Sequence, residues 1–428
     1  MNIHLTHFKN LYFIPLLLSK VALDISYFFH ITDRFAYLGF TNKFSMQYFI
    51  TSLFVLFLFS LLINLRNKFV SDYFLIFILH LLFLPSLTLI TFQAISFLFF
   101  IKWTFLFLFL ILFFQLKLEF KNKIFSPINY NKNSFLIAGF LCFIPYYFIF
   151  GFNFNFSSFN ILSPLLYEGR DSFSQQFGNQ GVLKYFFSNF QNVILPLLLA
   201  LSLLKRNIIL IALSLFFYIY IFFTTTFKSI FIAPFAIFAS YYLISKKSLY
   251  LPKFVIYNFS IIILFFFILD FILPIPILNS LLIRRLLFLP VLISEQYFTF
   301  FETNGFTYFS ELPVLNNLSL YSLDYSIPKT LGKYFYGSGY LNVNFLADSY
   351  IKLGFLSSII YFLGLKILIS FADHNFQIQN QFLIFSIIFV PFFSLANSAL
   401  TTSLFSHGLL LSLILVSQSS FNETRKKT

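Results

Sequence analysis

The chain is a succession of apolar runs, each long enough to cross a hydrocarbon layer as a helix, separated by short polar punctuation. A helical crossing needs about 20 apolar residues, whereas barrel strands would alternate in segments of about ten. Windows of helical length fall at about 11–30, 46–64, 73–92, 95–114, 134–152, 189–204, 207–225, 229–245, 254–273, 350–371, 381–397 and 403–418. We therefore expect an all-α fold: a polytopic transmembrane helix bundle of about twelve spans, forming a single integral membrane domain over residues 1–428. Composition agrees, since 59% of residues are hydrophobic and 73 are Phe, more than a water-soluble interior can hide. Phe codons are T-rich and lipid accepts Phe as readily as Leu, so the Phe excess needs no ligand to explain it.

The net charge of +14 suits nucleic acid or the orientation rule of membrane proteins, which concentrates Lys and Arg in cytoplasmic loops. With the N-terminus inside, fifteen Lys and Arg fall in the cytoplasmic segments. Nine fall outside, spread over far more residues: Arg34, Lys43, Arg170, Lys184, Lys228, Arg284, Arg285, Lys329 and Lys333. This density favours orientation over a nucleic-acid partner and sets both termini in the cytoplasm. Two outer loops are long, 153–188 and 274–349 between spans nine and ten, and the second can carry a site. Eight of the 14 acidic residues also fall outside. Cys142 is the only cysteine, so neither an internal disulfide nor a cysteine-based zinc site is expected. No phosphate-loop pattern for nucleotides occurs, and no cofactor is expected.

Arg284 and Arg285 stand inside "NSLLIRRLLFLP", on the side where orientation gives them no reason to be. A guanidinium fork matches phosphate oxygens and keeps its charge, so these two and Arg170, in "SPLLYEGRDSF", are candidate ligands for a pyrophosphate. Arg170 equally suits a local pair with Glu168 or Asp171. From Leu281 to Phe301 a helical pattern puts Arg284, Glu295 and Glu302 on one face. This is expected to form a surface helix with its charged stripe turned to a cavity, or an interfacial amphipathic helix whose arginines grip lipid headgroups, although Pro290 should kink or end it. Lys228, after "FTTT", either snorkels to the interface or adds a second cation. Asn344 and Asp348 lie one turn apart at the mouth of the tenth span, where Asn344 serves as a helix cap or a substrate contact and Asp348 needs a partner or water. Lys20, Asp24, Lys102 and Asp270 are costly within spans; Lys20 and Asp24 can pair at i,i+4, while the set as a whole also fits a proton-coupled carrier. Neither long outer loop contains histidine, which argues against Ser–His acyl chemistry there.

The loop Arg170 with Gly181, "TTTFKS" with Lys228, "RRLLFLPVLISEQYFTFF" opening the large loop and "NFLADSYIKLGFLSSIIYF" closing it together resemble the O-antigen or oligosaccharide repeat-unit polymerases of bacterial inner membranes, over about residues 160–365. An Arg-to-Gly spacing of eleven, found in two loops of some members, is not repeated after Arg284 or Arg285, where Glu295 and Gln296 stand instead. The resemblance implies glycosyl transfer at the periplasmic face, from an undecaprenyl-pyrophosphate-linked glycan to a sugar hydroxyl on a second such unit. It implies Arg170, Arg284, Arg285 and Lys228 at the pyrophosphate, Glu295 or Asp348 as the base, and Asn344 at the substrate. A chain-length regulator and a flippase would be partners. Two alternatives stay open. One is the related ligase, which uses a histidine in its large outer loop; the other is a flippase or carrier of lipid-linked oligosaccharide.

Overall fold

The computed structural model describes residues 12–65, 70–116, 132–151, 181, 183–225, 227–247, 249–272, 279–310, 325–374 and 381–418. Among them every regular element is helical. Seven helices are both long and apolar enough to cross a membrane: α1 (Phe13–His30), α3 (Val70–Thr91), α4 (Phe97–Gln115), α7 (Leu183–Lys205), α8 (Ile208–Thr225), α10 (Leu251–Ile272) and α14 (Phe355–His374). Between them lie shorter helices: α2 (Met46–Leu62), α5 (Lys132–Leu141), α6 (Phe143–Phe150), α9 (Lys228–Ser240), α11 (Leu289–Asn304), α12 (Ile327–Tyr336), α13 (Phe345–Leu353), α15 (Gln381–Leu395), α16 (Leu400–Phe405) and α17 (Leu409–Gln418). Leu18, Phe54, Leu98, Ile268 and Phe271 stand exposed on the helix flanks. Large apolar side chains turned outward around a bundle are compatible with lipid as the surrounding solvent.

In such a solvent each buried polar group must find a partner inside the protein. Many serines return their hydroxyl to a carbonyl one turn back, as Ser19 does to Pro15 (2.8 Å) and Ser202 to Leu198 (2.7 Å). Charges are paired within and across helices. Lys20, fully buried, reaches Asp24 at 2.5 Å and the Thr91 hydroxyl at 3.1 Å, while Thr88 donates to Asp24 at 2.7 Å. This cluster ties α1 to α3 and confirms the i,i+4 pairing expected of Lys20 and Asp24. Lys102 on α4 holds both oxygens of Glu302 on α11 (2.6 and 2.7 Å). At the start of α3 the Ser71 N–H donates to Asp373 at 2.9 Å, and Lys366 stands 3.8 Å from the same carboxylate.

Three helices widen into π-helical turns just before a proline: Leu79–Phe83 ahead of Pro85, Phe190–Ile194 ahead of Pro196, and Asn279–Phe288 ahead of Pro290. A proline ring clashes with the carbonyl four residues back and offers no N–H to it. A wider turn moves that carbonyl aside and lets the helix continue. The pentapeptide LLFLP occurs at two of the three sites, 81–85 and 286–290.

Of the two expectations at Pro290, a kink or an end, the widening excludes the end. The segment Asn279–Asn304 runs through the proline. Pro290–Ser294, Tyr297, Phe298, Phe300 and Phe301 are buried, with Phe298 stacked on Tyr350 at 3.9 Å and Phe288 edge-on to Tyr27 at 5.2 Å. Two apolar runs that read as single spans are also broken. Gly354 (φ +65°) separates α13 from α14, so that α13 folds back along α14, with Ser349 3.0 Å from Ser358 and Phe345 against Phe362. Ser406–Gly408 separates α16 from α17.

Candidate functional site

The one-turn spacing of Asn344 and Asp348 is realised as the first turn of α13. Asn344 is its N-cap, accepting from the Ala347 N–H at 3.1 Å. Its amide donates to the Pro290 carbonyl (3.1 Å) and to Ser294 (2.6 Å). All three bonds are structural, and the side chain is fully buried, so Asn344 fixes α13 against α11. One turn on, Asp348 meets Lys352, again one turn on, at 3.2 Å. The chain leading from α11 is tied to the far end of α13, where the N–H groups of Thr307 and Tyr308 donate to the carbonyls of Ile351 and Lys352.

Asp348 and Lys352 line a cavity of about 610 Å³. Its other walls are Tyr297 of α11, Ser310, the Tyr325–Pro328 entrance to α12, Asn342 and Val343, and the broken run around Ser398, Thr401, Thr402 and His407. The lining mixes one carboxylate–ammonium pair with hydroxyl, amide and imidazole groups. That chemistry suits a hydroxylated, anion-bearing ligand better than a hydrocarbon chain. Tyr297 is pinned by donating to the Leu341 carbonyl at 2.5 Å. Tyr325 lies under Lys333, whose ammonium is 3.6 Å from the ring centroid. Gly332 lets the α12 backbone meet the carbonyl of Gly339, where a Cβ would fall 2.2 Å from the oxygen.

Of the other residues singled out by sequence, none of those described lines this cavity. Glu295 accepts the Ser96 N–H at 2.6 Å, which places its charge at the positive N-terminal end of α4. Burial raises its pKa above the ordinary carboxylate value, and the hydrogen bonds from Ser96 oppose this. Arg284 lays its guanidinium over Phe35 at 3.9 Å, and Arg285 beside it is half-buried. Lys228 opens α9, but its side chain lies outside the described residues, as does all of Arg170. The expected meeting of Arg284, Glu295 and Glu302 at a common cavity is replaced by three separate attachments to Phe35, Ser96 and Lys102.

Lys352, Ser398 and His407 are among the cavity residues that were not anticipated. The signal that marks the last two is local. "NSALTTSLFSHG" packs small, hydroxyl-bearing residues and a histidine into an otherwise apolar run, as expected where a membrane helix is interrupted beside a polar space. Among the described residues no three of His, Cys, Asp and Glu gather as ligands for a metal. No family model, curated protein or solved structure matches this chain.

Proposed function

We propose that the chain is a polytopic membrane glycosyltransferase, with about twelve crossings and both termini cytoplasmic. It joins lipid-pyrophosphate-linked oligosaccharide units into a surface polysaccharide on the extracytoplasmic side of a bacterial inner membrane. The observation that carries this reading is the polar cavity holding Asp348 and Lys352 as a pair, bounded by the segments between α11 and α13. The pair supplies both charges the transfer needs. An arriving diphosphate competes for the Lys352 ammonium, which then stabilises the charge developing on the leaving group. Asp348, released from its partner, accepts the proton of the attacking sugar hydroxyl. Arg170 and Lys228 are retained as further pyrophosphate ligands; Arg284 and Arg285, which do not line this cavity, are not part of the proposed site. Glu295 gives way to Asp348 as the base, because its carboxylate is engaged in holding α4.

The test is genetic. In a strain making long-chain surface polysaccharide, deletion of the gene should leave a single repeat unit on the lipid anchor, and D348N should reproduce that pattern with the protein still present in the membrane. A normal polymer ladder from D348N at normal protein level would refute the assignment of the base.

A second reading, a carrier of lipid-linked oligosaccharide, is favoured by one feature: helices broken at Gly354 and at Ser406–Gly408 beside a polar space, as transporters use them. Against it, the intramembrane charges that suggested proton coupling are engaged in structural contacts. Lys20 pairs with Asp24 and Lys102 with Glu302, and Asp270 accepts from the Asn279 N–H (2.5 Å) and amide (2.7 Å). Bare anchor lipid in the deletion strain would decide against the polymerase and for the carrier or the ligase.

A further inference from the structure

The two interruptions around α16 place a nucleophile beside a base. Ser398 Oγ and His407 Nε2 are 3.0 Å apart. Both line the cavity, and both are only half-buried, so a bound molecule can reach them. The backbone holds this geometry firmly. His407 donates its N–H to the Thr402 carbonyl at 3.1 Å, and the next residue, Gly408, turns at φ +80° against Val193, where a Cβ would lie 2.4 Å from a methyl group. Asn189 of α7 donates to the Phe405 carbonyl at 3.2 Å, anchoring the end of α16. A hydroxyl within hydrogen-bond reach of an imidazole, rigidly mounted and open to a substrate-sized space, is the core of nucleophilic serine chemistry.

We infer that Ser398 and His407 form a nucleophile–base pair that opens ester bonds of an O-acylated sugar bound in the cavity. With the imidazole proton on Nδ1, Ser398 donates to Nε2. The Ser398 oxygen forms a bond to the ester carbonyl carbon while its proton passes to His407. The bond from that carbon to the sugar oxygen breaks, and the departing oxygen takes the proton from His407. Water then attacks the acyl-serine, giving its proton to His407. The acyl group leaves as a carboxylic acid and the serine hydroxyl is restored. The hydroxyl-rich wall around Thr401, Thr402 and Tyr325 fits the sugar portion. This activity does not depend on glycosyl transfer, and either can hold without the other.

The test treats the purified full-length protein in lipid nanodiscs with a fluorophosphonate, followed by peptide mapping. Ser326, which lines the same cavity, is the internal control. Ser398 should be modified at least about 100-fold faster than Ser326, the acceleration a positioned base provides. H407Q should remove that advantage and S398A should remove the label. Modification of Ser398 no faster than Ser326, or an undiminished rate in H407Q, would overturn the inference. The wild-type comparison decides even if H407Q fails to fold, and neither outcome bears on the polysaccharide phenotype of D348N.

Discussion

Removing either member of the buried Lys20–Asp24 pair should cost far more than removing both. Lys20 is fully buried, and the Asp24 side chain is 14% exposed, so neither orphaned charge can be rescued by water. In K20M the carboxylate keeps only the bond from Thr88. It can escape by taking a proton, at 1.36 kcal/mol for each pH unit above its reference pKa near 3.9, or about 4 kcal/mol at pH 7. In D24L the ammonium must instead lose a proton against a reference pKa near 10.4, about 4.6 kcal/mol at pH 7. Both figures fall within the ~3–5 kcal/mol seen when one half of a buried pair is deleted. The double variant K20M/D24L removes both charges, leaving only the Thr88 hydroxyl without its acceptor, and should lie within about 1 kcal/mol of wild type. The pH dependence has opposite signs in the two single variants. The K20M deficit shrinks by about 1.4 kcal/mol for each pH unit lowered, because protonating the carboxyl becomes cheaper; the D24L deficit shrinks as pH rises. Equilibrium unfolding in nanodiscs across pH 5–9 reads all of these. Single variants within 1 kcal/mol of wild type, a double no better than the worse single, or slopes of the same sign would refute the reasoning.

Other substitutions probe single contacts. E295Q keeps the acceptor for the Ser96 N–H and should preserve both fold and polymer synthesis, whereas E295A should lower stability; loss of synthesis in E295Q at full protein level would restore Glu295 as the base. Because burial raises the Glu295 pKa, its protonated form is the one the fold favours. The wild-type melting temperature should therefore carry a component that declines as pH rises from the ordinary carboxylate value of 4.5, and thermal melts of E295Q should lack it. G408A forces a Cβ onto Val193 at a left-handed φ and should destabilise by about 2–4 kcal/mol in the same unfolding assay; a neutral result would show that the turn at His407 is loose. N344A removes the α13 cap and two buried bonds. A loss of about 2–3 kcal/mol is expected, with fluorophosphonate modification of Ser398 retained.

Helix positions were legible because lipid demands long, uniform apolar runs, and helices stand at the places those runs mark. The breaks were not legible. The run from Tyr350 through Phe371 stays apolar across Gly354, and no composition change marks where α13 folds back. The i,i+4 spacing disclosed Lys20 with Asp24, and a charge at a run boundary disclosed Asp348. His407 was passed over because it sat inside an apolar window, and its contact with Ser398 arises from a turn that hydropathy averages away. The facial alignment of Arg284, Glu295 and Glu302 is real as spacing. What it could not supply was the neighbours, since Phe35, Ser96 and Lys102 come from segments about 200 or more residues earlier.

The way α13 is mounted has a consequence for how such a protein diversifies. Its cap is bolted to α11 through Asn344, and its far end is clipped to α14 through Ser357, which accepts the Leu353 N–H at 2.8 Å and donates to the Ser349 carbonyl at 2.6 Å. Asp348 and Lys352 therefore take their positions from α11 and α14, while Tyr325, Ser326 and Asn342 come from the intervening stretch. If the cavity binds as proposed, substitutions accumulating in that stretch would reshape what is recognised while the charged pair stays in register.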